Sequence, residues 1–276
     1  MGIASDIATD IATDIADDWH ASLAALAWQV EAGVDEVIGD APVNRYDLAA
    51  TAPKLAPAAQ GVGAVAREMV PQPGTALDAV AVAQAAAAGA RTLEDLRQAM
   101  AAFDHCELKR GARNLVFADG NPAARLLVLG EAPGAEEDRE GRPFVGRAGQ
   151  LLDRMFAAIG LSRTSPDAGT ALYITNVLPW RPPGNRDPEP GEIAMLLPFV
   201  ERHIALVDPE VIVVMGNTPL FALTKGKGIL RARGTWAQAL GKPVLPMTHP
   251  AYLLRNPAAK REAWADLLAL KARLQG

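Results

Sequence analysis

The turn Gly130-Glu131-Ala132-Pro133-Gly134 sets two glycines around a proline, a stiff backbone that can point amides and carbonyls at a ligand. Five acids crowd the stretch from Glu131 to Glu140, and most charge runs of this kind are simply solvated loops. Phe144 argues against that reading. It sits among glycines and prolines where neither helix nor strand accounts for it, and an aromatic on a rigid loop is a stacking platform for a base. Asn176 closes an apolar run. An asparagine there is most often a turn former, yet its amide offers a donor and an acceptor together, as a pyrimidine edge demands. The stiff segment PWRPPGNRDP carries Arg181 and Arg186, which suit phosphate contacts. His249 opens HPAYLLRN. Alone it could be a satisfied structural histidine; beside Tyr252, Leu253, Leu254 and Arg255 it reads as a catalytic donor next to a wedge for a base stack.

Those residues follow a repeating alternation of elements. ARLLVLG (124–130), ALYITNVL (171–178), VIVVMG (211–216) and PVLPMTHP (243–250) are short apolar runs of the kind that form buried parallel strands. Between and after them, residues 146–160, 190–209, the short NTPLFALTK and 256–274 have helical spacing. Strands alternating with helices predict a three-layer α/β/α fold around a mostly parallel four-stranded sheet. Ligands of such sheets bind at the carboxyl ends of the strands, so chemistry is expected just after Gly130, Leu178, Gly216 and Met247.

The first hundred residues have another texture. DIATDIATDIADD repeats every four residues, apolar positions continue at helical spacing to Ile38, and Pro42 ends the pattern, so 1–40 is expected to be a helical segment. Residues 41–103 read as an Ala/Pro-rich, partly flexible linker with one short helix, capped by Thr92 with Asp95 and running to about Ala102. The enzyme-like domain is then expected over 104–276. Net charge is −5 overall. Residues 1–100 hold five basic and 14 acidic side chains, whereas the rest holds 22 basic and 18 acidic, so the latter part is mildly positive and open to a polyanion. No run reaches the roughly 20 apolar residues a membrane helix needs. Cys106 is the only cysteine, which excludes an intramolecular disulfide and a cysteine-built zinc site and fits a reducing, cytoplasmic compartment.

GEAPGAEEDREGRPFVGRAGQLLD (130–153), Thr175-Asn176, RPPGNR (181–186) and HPAYLLRN (249–256) together resemble the motifs of the family 4 uracil-DNA glycosylases, in order, over roughly residues 106–274. The resemblance implies a DNA-repair hydrolase that flips uracil out of DNA and cleaves its N-glycosidic bond with an activated water. On that reading Phe144 stacks on the extruded uracil, Asn176 bonds its polar edge, and Glu131 and Ala132 hold the base and the attacking water. The acidic group is drawn from Glu131, Glu137 and Asp138, with Glu137 favoured. His249 steadies the departing base, Leu253, Leu254 and Arg255 enter the duplex, and Arg181 and Arg186 meet phosphates. Uracil-containing DNA is the implied partner, and a nucleoid-associated monomer the implied form.

One departure stands out. Relatives of this family hold an iron–sulfur cluster on four cysteines, and the corresponding positions here are Phe103, Cys106, Trp180 and Leu196. One thiolate cannot hold such a cluster, so no metal and no cofactor are expected. The alternative reading is a non-catalytic protein on the same fold that binds uracil-containing or single-stranded DNA, or an adaptor whose acidic N-terminal helix docks a protein partner.

Overall fold

The computed structural model describes residues 74–275, so the expected N-terminal helical segment (1–40) and most of the expected linker lie outside the described residues. The four anticipated strands are present as β2 (Leu126–Gly130), β3 (Leu172–Asn176), β4 (Val211–Met215) and β6 (Lys242–Met247). Two short edge strands extend the sheet to six: β1 (Asp119–Gly120) and β5 (Ala237–Ala239). The order is β1-β3-β2-β4-β6-β5, parallel through the four inner strands and antiparallel at both edges. The edge strands have two and three residues, too short to carry an alternation pattern.

β2, β3 and β4 are buried at every position, which is why they read as unbroken apolar runs. Alternate residues still feed different layers. Leu127, Leu129, Tyr173, Ile212 and Val214 face one core with α1 (Gly74–Gly89), α2 (Leu93–Ala102) and α6 (Pro190–Val207). Leu126, Val128, Leu172, Ile174 and Val213 face the other, against α5 (Arg147–Ala157) and α10 (Lys260–Gln275). The remaining helices are short: α3 (Leu108–Gly111), α4 (Ala135–Glu140), α7 (Asn217–Thr224), α8 (Ile229–Ala232) and α9 (Pro250–Arg255). No helix among the described residues is long and apolar enough to cross a membrane.

The acidic stretch contains a short helix, Ala135–Glu140, with Glu136, Glu137 and Asp138 in the first turn where the helix dipole favours them. The packed core also extends N-terminal of residue 104. Ala79, Ala83 and Ala87 form a small-residue face of α1 buried in the core, Ala90 is buried just beyond its end, and Arg202 of α6 donates to the Ala90 carbonyl (2.8 Å). Leu96, Met100 and Phe103 are buried beside them. The alanine tract hid this, because alanine supports a helix equally well free or packed. The cap expected at Thr92 is formed: its Oγ1 accepts from Asp95 N (3.1 Å), and Asp95 accepts from Thr92 N (2.9 Å).

Candidate active site

A cavity of about 1150 Å³ opens at the carboxyl ends of the inner strands, bounded by Glu131, Phe144, Asn176, Thr218, His249 and Tyr252. The parallel register pairs Gly130 with Asn176, so the first motif and the asparagine meet at one level of the sheet. Asn176 is buried, and its Oδ1 accepts no hydrogen bond from the described residues. A buried, unpartnered amide oxygen costs on the order of 1–3 kcal/mol unless something satisfies it. Gly130 makes room for it: a Cβ there would collide with Asn176 Oδ1 and come within 2.5 Å of the Phe144 ring.

Phe144 is held in place from both sides. Its φ is +53°, unusual for a non-glycine residue and costing about 1–3 kcal/mol. Glu137 accepts from Val145 N (3.0 Å) and Gly146 N (2.9 Å) through Oε1, and from Gly134 N (3.1 Å) through Oε2. On the other side Arg163, almost fully buried, donates to the carbonyls of Pro143 (2.9 Å) and Phe144 (3.0 Å) and pairs with Asp119 and Asp153. Gly149 lets α5 slide beneath, since any Cβ there would strike the Phe144 carbonyl. The His249 ring lies against the Phe144 ring, centroids 5.4 Å apart and planes 29° apart.

The three acids differ in what their oxygens already do. Asp138 is buried and accepts from the amides of Arg113 (2.8 Å) and Asn114 (3.1 Å), tying α4 to the preceding loop. Both oxygens of Glu137, the acid favoured from sequence, accept from backbone amides, and these bonds brace the Phe144 loop. Glu131 accepts one bond, from Thr218 Oγ1 (2.5 Å) through Oε2, and its Oε1 accepts nothing from the described residues. Burial raises its carboxyl above the usual carboxylate range, the Thr218 bond pulls it back, and the nearby Asp187 charge pushes it up.

His249 sits at the start of α9, and its Nδ1 accepts from Ala251 N (3.1 Å), which leaves the ring proton on Nε2. The ring lies deep in the protein yet opens on the cavity. Burial lowers its pKa to about 4, with the Arg255 charge adding to the effect and Glu137 opposing it, so at neutral pH it is an uncharged N–H donor.

At the rim the residues expected to face DNA are placed unequally. Arg255 is exposed and lines the cavity with Tyr252, whereas Leu253 is 1% exposed and packs with Leu151 and Ala263 beneath α9, and Leu254 is half-buried beside that cluster. Arg186 reaches the cavity but is bound to Glu192 (3.0 and 2.6 Å), and Arg181 donates to Asn185 Oδ1 (2.7 Å). Both arginines therefore already serve the folded loop. Ala132 lines the cavity.

Sequence reasoning missed the residues after β4. Asn217 Oδ1 accepts from Ile229 N (2.9 Å), setting the turn that follows α7, and Thr218 reaches Glu131. Within the segment TKGKGILRARG (224–234), Gly226 to Leu230 line one wall, and Lys225 and Lys227 lie over the Phe221 ring (5.5 and 5.8 Å). Its glycine-separated basic residues were the available signal.

An α/β/α sheet with a cavity at its carboxyl edge, faced by an aromatic, an asparagine, a histidine and a carboxylate, describes a nucleobase-handling protein. The family model for the Uracil DNA glycosylase superfamily matches residues 117–268, and the chain belongs to that superfamily. A Type-4 uracil-DNA glycosylase of Thermotoga maritima is 43% identical over 154 residues, 55% of this chain and 77% of the relative. Those of Sulfurisphaera tokodaii (37% over 180 residues, 62% and 79%) and Archaeoglobus fulgidus (34% over 186 residues, 63% and 89%) are also similar.

The residues at the four cluster positions do not fit an iron–sulfur group. Phe103, Cys106, Trp180 and Leu196 are all buried in one apolar core, and Phe103 packs edge-on against Phe199 with centroids 5.4 Å apart. Burial pushes the Cys106 thiol up, the opposite of what a ligating thiolate needs. Among the described residues no group of three or more His, Cys, Asp or Glu could hold a metal ion.

Proposed function

We propose that this chain is a DNA-repair glycosylase that turns uracil out of DNA, hydrolyses its N-glycosidic bond and leaves an abasic site. The single observation carrying this reading is the buried, unpartnered Asn176 carboxamide wedged between Gly130 and the braced Phe144 ring. A flat heterocycle stacked on Phe144 meets that amide along its donor–acceptor edge, and uracil has the matching pair.

Cleavage of the bond between sugar and base leaves positive charge on the sugar and negative charge on the base. The neutral His249 Nε2–H donates to the base as its charge grows. A fixed donor of this kind is worth about 10²–10³ in rate. The free Oε1 of Glu131 faces the sugar side, where it orients a water and stabilises the cation. The water oxygen bonds the sugar carbon, its proton leaves through the carboxylate, and the uracil anion takes a proton from solvent. Glu137 acts on the reaction only by fixing Phe144. Tyr252, Arg255 and Lys227 meet the duplex at the rim, and the chemistry needs no iron–sulfur cluster.

The test is incubation with an oligonucleotide carrying one uracil, followed by alkali. Breaks at uracil alone, lost in Asn176→Ala, are expected. Intact strands at enzyme excess, with a gel shift retained, would instead leave a DNA-binding protein on a glycosylase fold.

A further inference from the structure

We infer that Thr218 is a positioning residue for Glu131, holding one carboxylate oxygen so that the other stays turned toward the reacting sugar. The inference rests on the reading of Glu131 as the water-orienting acid. Thr218 lies in the first turn of α7, just after the carboxyl end of β4, whereas Glu131 follows β2, its neighbour in the sheet. The two side chains thus come from residues 87 apart in sequence and meet in one hydrogen bond of 2.5 Å.

Three features make the bond more than a surface contact. It is the one hydrogen bond that Glu131's side chain makes to the described residues, so nothing else fixes the carboxylate plane. Threonine is β-branched and stiff at its first torsion, so its hydroxyl can hold a partner at little entropic cost. The carboxylate is partly shielded from water, where a charge-assisted bond is stronger than in solvent. The neighbouring α4 acids cannot substitute, because Glu137 is committed to three backbone amides and Asp138 to two.

The Thr218 bond also opposes the upward push of burial on the Glu131 carboxyl. Asp187, Glu137, Arg186, Lys227, His249, Tyr252 and Arg255 are the other titratable or charged groups around the same cavity, and Asp187 is the one that raises Glu131 directly. Thr218→Val keeps the shape of the side chain and removes the donor. The acidic limb of the rate profile should then move to higher pH, since a less stabilised carboxylate holds its proton longer.

Single-turnover uracil excision by Thr218→Val, Thr218→Ser, Glu131→Gln and the Thr218→Val/Glu131→Gln double variant, each across pH 4–8, tests this. Thr218→Val is expected to slow the chemical step by on the order of 10- to 100-fold with substrate binding little changed. Its acidic limb should rise in pH, Thr218→Ser should recover most of the rate, and the double variant should be no slower than Glu131→Gln alone. A Thr218→Val enzyme at wild-type rate and profile, beside a slow Glu131→Gln, overturns the role of Thr218 while leaving Glu131 in place. So does a double variant whose losses simply multiply. A Glu131→Gln enzyme near the wild-type rate instead removes the reading of Glu131 on which the inference stands.

Discussion

The floor of the cavity and its rim are built on different terms. At the floor, Gly130, Phe144 and Asn176 are buried; Gly130 and Asn176 are paired at the ends of β2 and β3, and the Phe144 loop is braced by Glu137 and Arg163. At the rim, Lys227, Leu230 and Arg255 are exposed and carried on short turns and a six-residue helix. A rigid floor can discriminate, because a base of the wrong shape must move packed atoms. A charged, exposed rim mainly attracts the phosphate backbone, with strong salt dependence and little sequence information. Recognition of the base and affinity for DNA should therefore be separable by mutation.

The largest effect is expected at the floor. Gly130→Ala adds a single methyl that meets the Asn176 carboxamide and the Phe144 ring. The backbone at Gly130 needs no glycine conformation, so any loss comes from the displaced pocket alone. Excision should fall by on the order of 10²-fold, because sub-ångström shifts of positioning groups are costly, while overpacking lowers stability by only about 1–3 kcal/mol. Excision rate set against the thermal midpoint decides it, and an unimpaired rate would mean the floor is not pre-set. A smaller effect is expected at the rim. Lys227→Ala and Arg255→Ala should each weaken DNA binding severalfold and flatten the slope of log affinity against log salt by about 1, with uracil preference unchanged. A lost preference for uracil would erase the distinction between the two regions.

This contrast also explains what was legible in the sequence. The inner strands were readable because a strand buried on both faces must be apolar throughout; Phe144 stood out because neither helix nor strand accounts for it, while Asn176 and His249 gained weight only from their neighbours and the motifs around them. The brace was not readable. Glu137 looks like any acid in an acidic run until its three backbone partners are seen, and Arg163, 19 residues from Phe144, bears no local mark. Leu253 looked like a wedge because it stands in the apolar run Tyr252, Leu253, Leu254 beside His249; only the fold of α9 turns that side chain inward. Thr218 depends on β2 and β4 being neighbours, a fact of topology that no local pattern carries.

Most directly at stake is whether the residues of this chain complete the site without an iron–sulfur group. The measurement is single-turnover excision of uracil by protein purified with chelator, with iron quantified in the same preparation. Full activity at an iron content far below one equivalent is the predicted result. Activity that rises and falls with bound iron would contradict the account, because the buried core at Phe103, Cys106, Trp180 and Leu196 has no means of holding it.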